Sequence, residues 1–100
     1  MDLYNNQVPG DTVWALETDF GNGGMWTIEW FLTPEMSSDE YRHAVEYMKT
    51  HTGGTAKRWK VTLPRQRMER DEVGYYVQDK LSEDPDGTAQ LLDISAQRTR

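Results

Sequence analysis

The fold turns on residues 12–32, Thr-Val-Trp-Ala-Leu-Glu-Thr-Asp-Phe-Gly-Asn-Gly-Gly-Met-Trp-Thr-Ile-Glu-Trp-Phe-Leu. From Thr12 to Phe20 the side chains alternate. Trp14, Leu16 and Phe20 fall on one side and Val13, Ala15, Glu17 and Asp19 on the other, the period-two pattern of a half-buried strand. Gly21-Asn22-Gly23-Gly24 interrupts the pattern, and alternation returns from Met25 to Leu32, with Trp26, Ile28, Trp30 and Leu32 opposite Thr27 and Glu29. Two strands around a Gly/Asn loop predict a β-hairpin. This reading gathers Trp14, Trp26 and Trp30 on one apolar face, where cross-strand aromatic pairs stabilise a sheet.

Thr33-Pro34 ends the second strand, and Ser37-Ser38-Asp39-Glu40 has the Ser-x-x-Glu form of a capping box, so a helix is expected from there. Tyr41, Ala44, Val45 and Met48 follow the spacing of a single buried stripe, with Asp39, Arg42, His43, Glu46 and Lys49 away from it. The helix should stop near His51, where Gly53-Gly54 offer the positive φ that helix C-termini favour. Lys57 to Leu63 alternates again, Trp59, Val61 and Leu63 inward and Arg58, Lys60 and Thr62 outward, and Pro64 closes it. Val73-Gly74-Tyr75-Tyr76-Val77 is rich in strand formers and reads as a fourth strand, and Ala89 to Ser95 as a fifth. The order is β-β-α-β-β-(β): an α+β fold with one amphipathic helix packed on a mostly antiparallel sheet, β-grasp-like in shape.

At 100 residues the chain is expected to form a single domain, with 1–11 and 96–100 as flexible ends. Only 17 residues are Leu, Ile, Val or Phe, a low figure that four Trp, five Tyr and five Met offset. There is no cysteine, which excludes disulfides, thiolate nucleophiles and Cys-based metal sites. The N-terminus carries no basic and apolar leader, and no apolar run approaches the length of a membrane span, so a cytoplasmic location without a membrane partner is expected. No phosphate-binding, dinucleotide, zinc-protease or nucleophile-elbow motif occurs.

Charge is unevenly placed. Residues 1–56 hold nine acids against two bases (−7), residues 57–70 six bases against one acid (+5), and residues 71–100 seven acids against three bases (−4), within a net charge of −6. The basic island is Lys57, Arg58, Lys60, Arg65, Arg67 and Arg70. Arg58 and Lys60 share a strand face that Arg65, Arg67 and Arg70 would extend along a nucleic-acid backbone. Trp59 points to the opposite face, which removes the stacking platform that single-strand recognition needs. One of Tyr75 and Tyr76 would be left exposed by a strand, and Tyr76 with the arginines upstream forms a candidate contact patch.

The acids give the converse reading. Glu17, Asp19 and Glu29 are expected on the outer face of the hairpin, with Asp39 and Glu40 at the helix start and Glu83, Asp84 and Asp86 in a late loop. Together they would present a negative surface to a partner protein with a basic groove. In size and charge alone, with no shared motif, the chain is similar to the small acidic inhibitors of CRISPR and restriction systems carried by phages and mobile elements. That likeness implies a non-catalytic inhibitor or regulator of a nucleic-acid-handling protein. A nucleic-acid-binding module built on 57–70 is the alternative, and a toxin-neutralising immunity protein would share the same features.

Neither catalysis nor a cofactor is expected. Glu40-x-x-His43 has the spacing of a carboxylate-bridged metal motif, but such a site needs a second motif from a facing helix. His43 is more simply a surface side chain near Asp39, and His51 suits a helix C-terminus. Every Asp and Glu falls on an outer face or loop, Asp93 alone being ambiguous, so no buried titratable pair is foreseen. Ser37 and Ser38 are better used in capping than as nucleophiles.

Overall fold

The structure, a computed structural model, describes residues 8, 10–20, 25–51, 54–64, 68–82 and 87–95. The elements are β1 (Thr12–Asp19), β2 (Trp26–Phe31), α1 (Pro34–His51), β3 (Thr55–Thr62), α2 (Arg70–Ser82) and β4 (Ala89–Ile94). The strands form one antiparallel sheet in the order β2-β1-β3-β4. The α+β class, the antiparallel sheet and the amphipathic helix packed on it stand as expected. The expected loop at 21–24 and most of the two chain ends lie outside the described residues.

One element differs in kind: residues 73–77 belong to helix α2 and are not a strand. Strand preference spans only about 1 kcal/mol. Burying a Val or Leu side chain is worth about 1.5–3 kcal/mol. Val73, Val77 and Leu81 recur at intervals of four and are all buried, so a helix satisfies three of them on one stripe. Its start is also prepared, because the Glu72 carboxylate accepts the backbone N–H of Glu69 at 2.9 Å, one half of a capping box, and Asp71 and Glu72 sit in the first turn.

The second helix changes which side of the hairpin is core. Directly opposed residues share a sheet face, and the register places Val13, Ala15 and Glu17 with Trp30, Ile28, Val61, Trp59 and Lys57. This face carries α2, and Val13, Ala15, Val61, Leu63, Val73, Val77, Leu81 and Ala89 form its buried cluster. The other face, with Trp14, Leu16, Thr18, Ala56 and Arg58, carries α1. Trp14 is therefore opposite Phe31 and on the reverse side of the sheet from Trp26 and Trp30. Val13 and Ala15, expected to face outward, are fully buried because α2 lies over them.

Helix α1 begins four residues or so before the expected capping box. Thr33 is the N-cap, its Oγ1 accepting the Met36 N–H at 3.2 Å, and Pro34 takes the first helical position, where a missing N–H costs nothing. Ser37 thus lies inside the helix and fully buried, donating to the Pro34 carbonyl at 2.9 Å. The stripe of Tyr41, Ala44, Val45 and Met48 is the buried side of α1 as expected. Gly54 is needed for a different reason from the one the sequence suggests: a Cβ there would stand 2.8 Å from Phe20 Cα, so the requirement is close approach of two backbones and not positive φ. Gly53 lies outside the described residues.

Candidate functional site

Strand β4 carries a register shift opposite Arg58/Trp59, with Arg58 facing Asp93 and Trp59 facing Leu91, so Leu92 is the extra residue. A bulge rephases everything beyond it. Asp93 turns to the α1 face, and Leu91 and Ile94, three apart, both come to the α2 face.

Helix α2 lies over only one end of that face, across Val13, Val61 and Ala89. The other end is open. There Trp26 (41% exposed), Ile28, Trp59, Leu91 (43%) and Ile94 (52%) share one side of four neighbouring strands. In their midst is Glu17, whose Oε2 accepts the Trp26 Nε1–H at 2.8 Å and whose Oε1 accepts the Trp59 Nε1–H at 2.9 Å. Hydrogen bonds to a carboxylate are about twice as strong as neutral ones, so the clamp holds both indoles by their polar edges and leaves ring surface to the outside. Lys57 and Asp19 sit on the same face, at the rim.

Beside this area, between α2 and the edge strand β2, runs a groove of about 440 Å³ lined by Ile28, Trp30, Arg70, Asp71, Gly74, Tyr75 and Gln78. The Arg70 guanidinium lies 5.4 Å from the Trp30 ring centroid. Gly74 faces the Trp30 indole nitrogen, which a Cβ there would meet at 3.6 Å, an ordinary van der Waals contact.

On the α1 face, Arg58 donates to Asp93 Oδ2 at 2.7 Å and to Ser37 Oγ at 3.1 Å, tying β4, β3 and α1 together. Burial and the nearby Asp93 carboxylate push the Tyr41 hydroxyl above its usual value of 10.0, while Arg58 opposes the rise.

The candidate residues named from sequence are thus partly gathered and partly separated. Glu17 and Asp19 share the open face, but Glu29 is on the reverse side of the sheet, opposite Leu16. Asp39 is paired with Arg42 at 2.6 Å on α1, where Glu40 is exposed. In the basic segment, Arg58 is an internal clamp only 17% exposed, Lys60 is exposed on its face, and Arg70 covers Trp30. Arg65, Arg67, Glu83, Asp84 and Asp86 lie outside the described residues. Tyr76 packs against the core and donates its hydroxyl to the Thr62 carbonyl at 3.2 Å, leaving Tyr75, at 71%, as the exposed tyrosine.

Sequence reasoning missed Trp59, Leu91 and Ile94 as surface candidates. The pairing of Glu17 with two indoles left no local signal, since the three residues come from three strands. The i, i+4, i+8 spacing of Val73, Val77 and Leu81 was the available clue that α2 would cover the Val13 face.

Among the described residues, no helix is long and apolar enough to cross a membrane, and no three His, Asp or Glu side chains converge to hold a metal ion. Neither a protein-family model, nor a characterised protein, nor a solved structure matches the chain. The fold and the open face define a small α+β protein with a partly exposed aromatic and aliphatic sheet surface.

Proposed function

We propose that this chain acts in the cytoplasm by contact with another protein and without catalysis, as an inhibitor or regulator, and that its docking surface is the open end of the sheet around Glu17. The observation that carries the reading is the concentration of exposed apolar side chains, Trp26, Leu91 and Ile94, on the one sheet face that α2 covers only in part. Contact energy in protein interfaces concentrates in aromatic anchors set within a polar rim. Trp26 and Trp59, held by Glu17 and edged by Asp19 and Lys57, have that composition.

The net charge of −6 steers the chain toward a partner with a basic surface. Proteins that handle nucleic acids carry such surfaces, and an inhibitor of one of them, from a phage or mobile element, is the context that best accords with size and charge. An immunity protein against a basic toxin would use the same face.

Capture from nuclease-treated lysate of a natural host tests the reading. The double variant Leu91→Ser/Ile94→Ser, which leaves the helices and the Arg58 clamp in place, should weaken the partner at least about tenfold, the effect of losing roughly 1.4 kcal/mol of anchor contact. Lys60→Ala, on the reverse face, should leave it unchanged. Full retention by the double variant contradicts the proposal, and so does a partner that disappears with nuclease treatment, which would return the function to nucleic-acid binding.

A further inference from the structure

Strand β2 is the edge of the sheet, and no described strand pairs with its outer side. Its free hydrogen-bonding groups can be assigned. Phe20 N–H donates to the Met25 carbonyl at 3.1 Å, and these two residues come opposite when the β1–β2 register is carried one step beyond its last pair, Asp19 with Trp26. Hydrogen-bonded and non-hydrogen-bonded pairs alternate in an antiparallel ladder. Met25, Thr27, Glu29 and Phe31 therefore spend their backbone groups on β1, and Trp26, Ile28 and Trp30 point theirs outward. An edge this apolar, with Glu29 its only charge, is a template for another strand.

We infer that the strand it takes is β2 of a second copy of this chain, in an antiparallel two-fold pair centred on Ile28. This register alone uses all three outward residues of each copy: Trp26 meets Trp30, Ile28 meets Ile28, and Trp30 meets Trp26. The intervening positions match as well, Thr27 opposite Glu29 and Met25 opposite Phe31, so that no like charges face each other. Shifting by two residues in either direction loses one of the three hydrogen-bonded pairs. The two-fold keeps the α2 faces of both copies on one side of a continuous eight-stranded sheet. Because α2 lies at the Trp30 end of each β2, the two helices stand at opposite ends of the junction. Trp26 of the second copy then arrives beside Trp30, at the mouth of the groove lined by Ile28, Gly74 and Tyr75. A self-complementary patch of this kind is the ordinary basis of a closed dimer.

The chain has no cysteine, so an introduced one reports the register cleanly. Ile28→Cys would face its own copy across the axis at a Cα separation of about 5.5 Å, within disulfide range. Trp26→Cys would be displaced from its own copy by four residues, about 13 Å along the strands, and out of range. Mild oxidation should make Ile28→Cys a covalent dimer and leave Trp26→Cys uncoupled. Sedimentation of the unaltered chain should show a concentration-dependent monomer–dimer equilibrium. Ile28→Pro should shift it to monomer with the helical circular dichroism retained, because the N–H it removes faces away from β1. Overturning results are a chain that stays monomeric at high micromolar concentration, an edge occupied instead by an extended segment of another protein, or a dimer that cross-links through position 26 and not 28. The capture experiment reads Leu91 and Ile94, which share the α2 face but lie on β4 at the opposite edge of the sheet from β2, so failure of the pairing and failure of the capture are told apart.

Discussion

Glu17 shows how a charge can be miscounted along a strand. Alternation assigns it to an outer face, and as a free acid it would add to a negative surface. Two indole N–H groups from other strands occupy its carboxylate, so it orders an aromatic surface instead. Arg58 is similar: an exposed strand base by pattern, it is bound to Asp93 and Ser37. Such partners lie 35 and 21 residues away in the chain, where local pattern carries no information about them. Tyr41, over the same cluster, gives a pH prediction. Its hydroxyl is raised above 10.0, so the folded chain keeps the proton longer than the unfolded one. The resulting stability is fully present below pH 10 and is lost as pH rises through the higher folded value. Denaturant midpoints measured across the alkaline range should fall less steeply for Tyr41→Phe than for the unaltered chain, and equal slopes would contradict the assignment.

At the scale of elements, β1, β2, β3 and β4 were legible because each is long enough to show alternation or strand-forming composition between breakers. Helix α2 was not, since a five-residue window of Val, Gly and Tyr is shorter than the repeat that identifies it. The start of α1 was hidden by two competing caps, of which Thr33-Pro34 prevails. One misread element had further effects: without α2, Val13 and Ala15 had nothing to pack on, and the tryptophans seemed to be the core. The helical assignment is testable at Gly74. Its place inside α2, with room for a Cβ at 3.6 Å from the Trp30 indole nitrogen, means that Gly74→Ala should stabilise the chain by roughly 0.5–1 kcal/mol. For a domain of this size that is a rise of several degrees in Tm, about 4–8 °C per kcal/mol. A fall in Tm would show that the helix and Trp30 pack more tightly than described.

Across the whole molecule, a four-stranded sheet carries a helix on each face, and the shorter helix leaves part of its face uncovered. The β4 bulge turns Asp93 toward Arg58 and brings Leu91 and Ile94 to that uncovered area, so a single extra residue serves both the clamp and the surface. The split of charge into −7, +5 and −4 was visible in the chain, but folding does not turn the basic stretch into a single basic face. Lys57 and Lys60 point to opposite sides, and Arg58 is held inside.

The four tryptophans make the central claim measurable, because their indole N–H signals report separate places: Trp14 on the α1 face, Trp26 and Trp30 on β2, and Trp59 in the open face. The most direct measurement is a nuclear magnetic resonance titration of the captured partner into the isotope-labelled chain at fixed concentration. The account predicts that the Trp59 signal shifts or broadens in proportion to complex formed while Trp14 stays in place. A complex that moves Trp14 and leaves Trp59 untouched would put the working surface on the other side of the sheet.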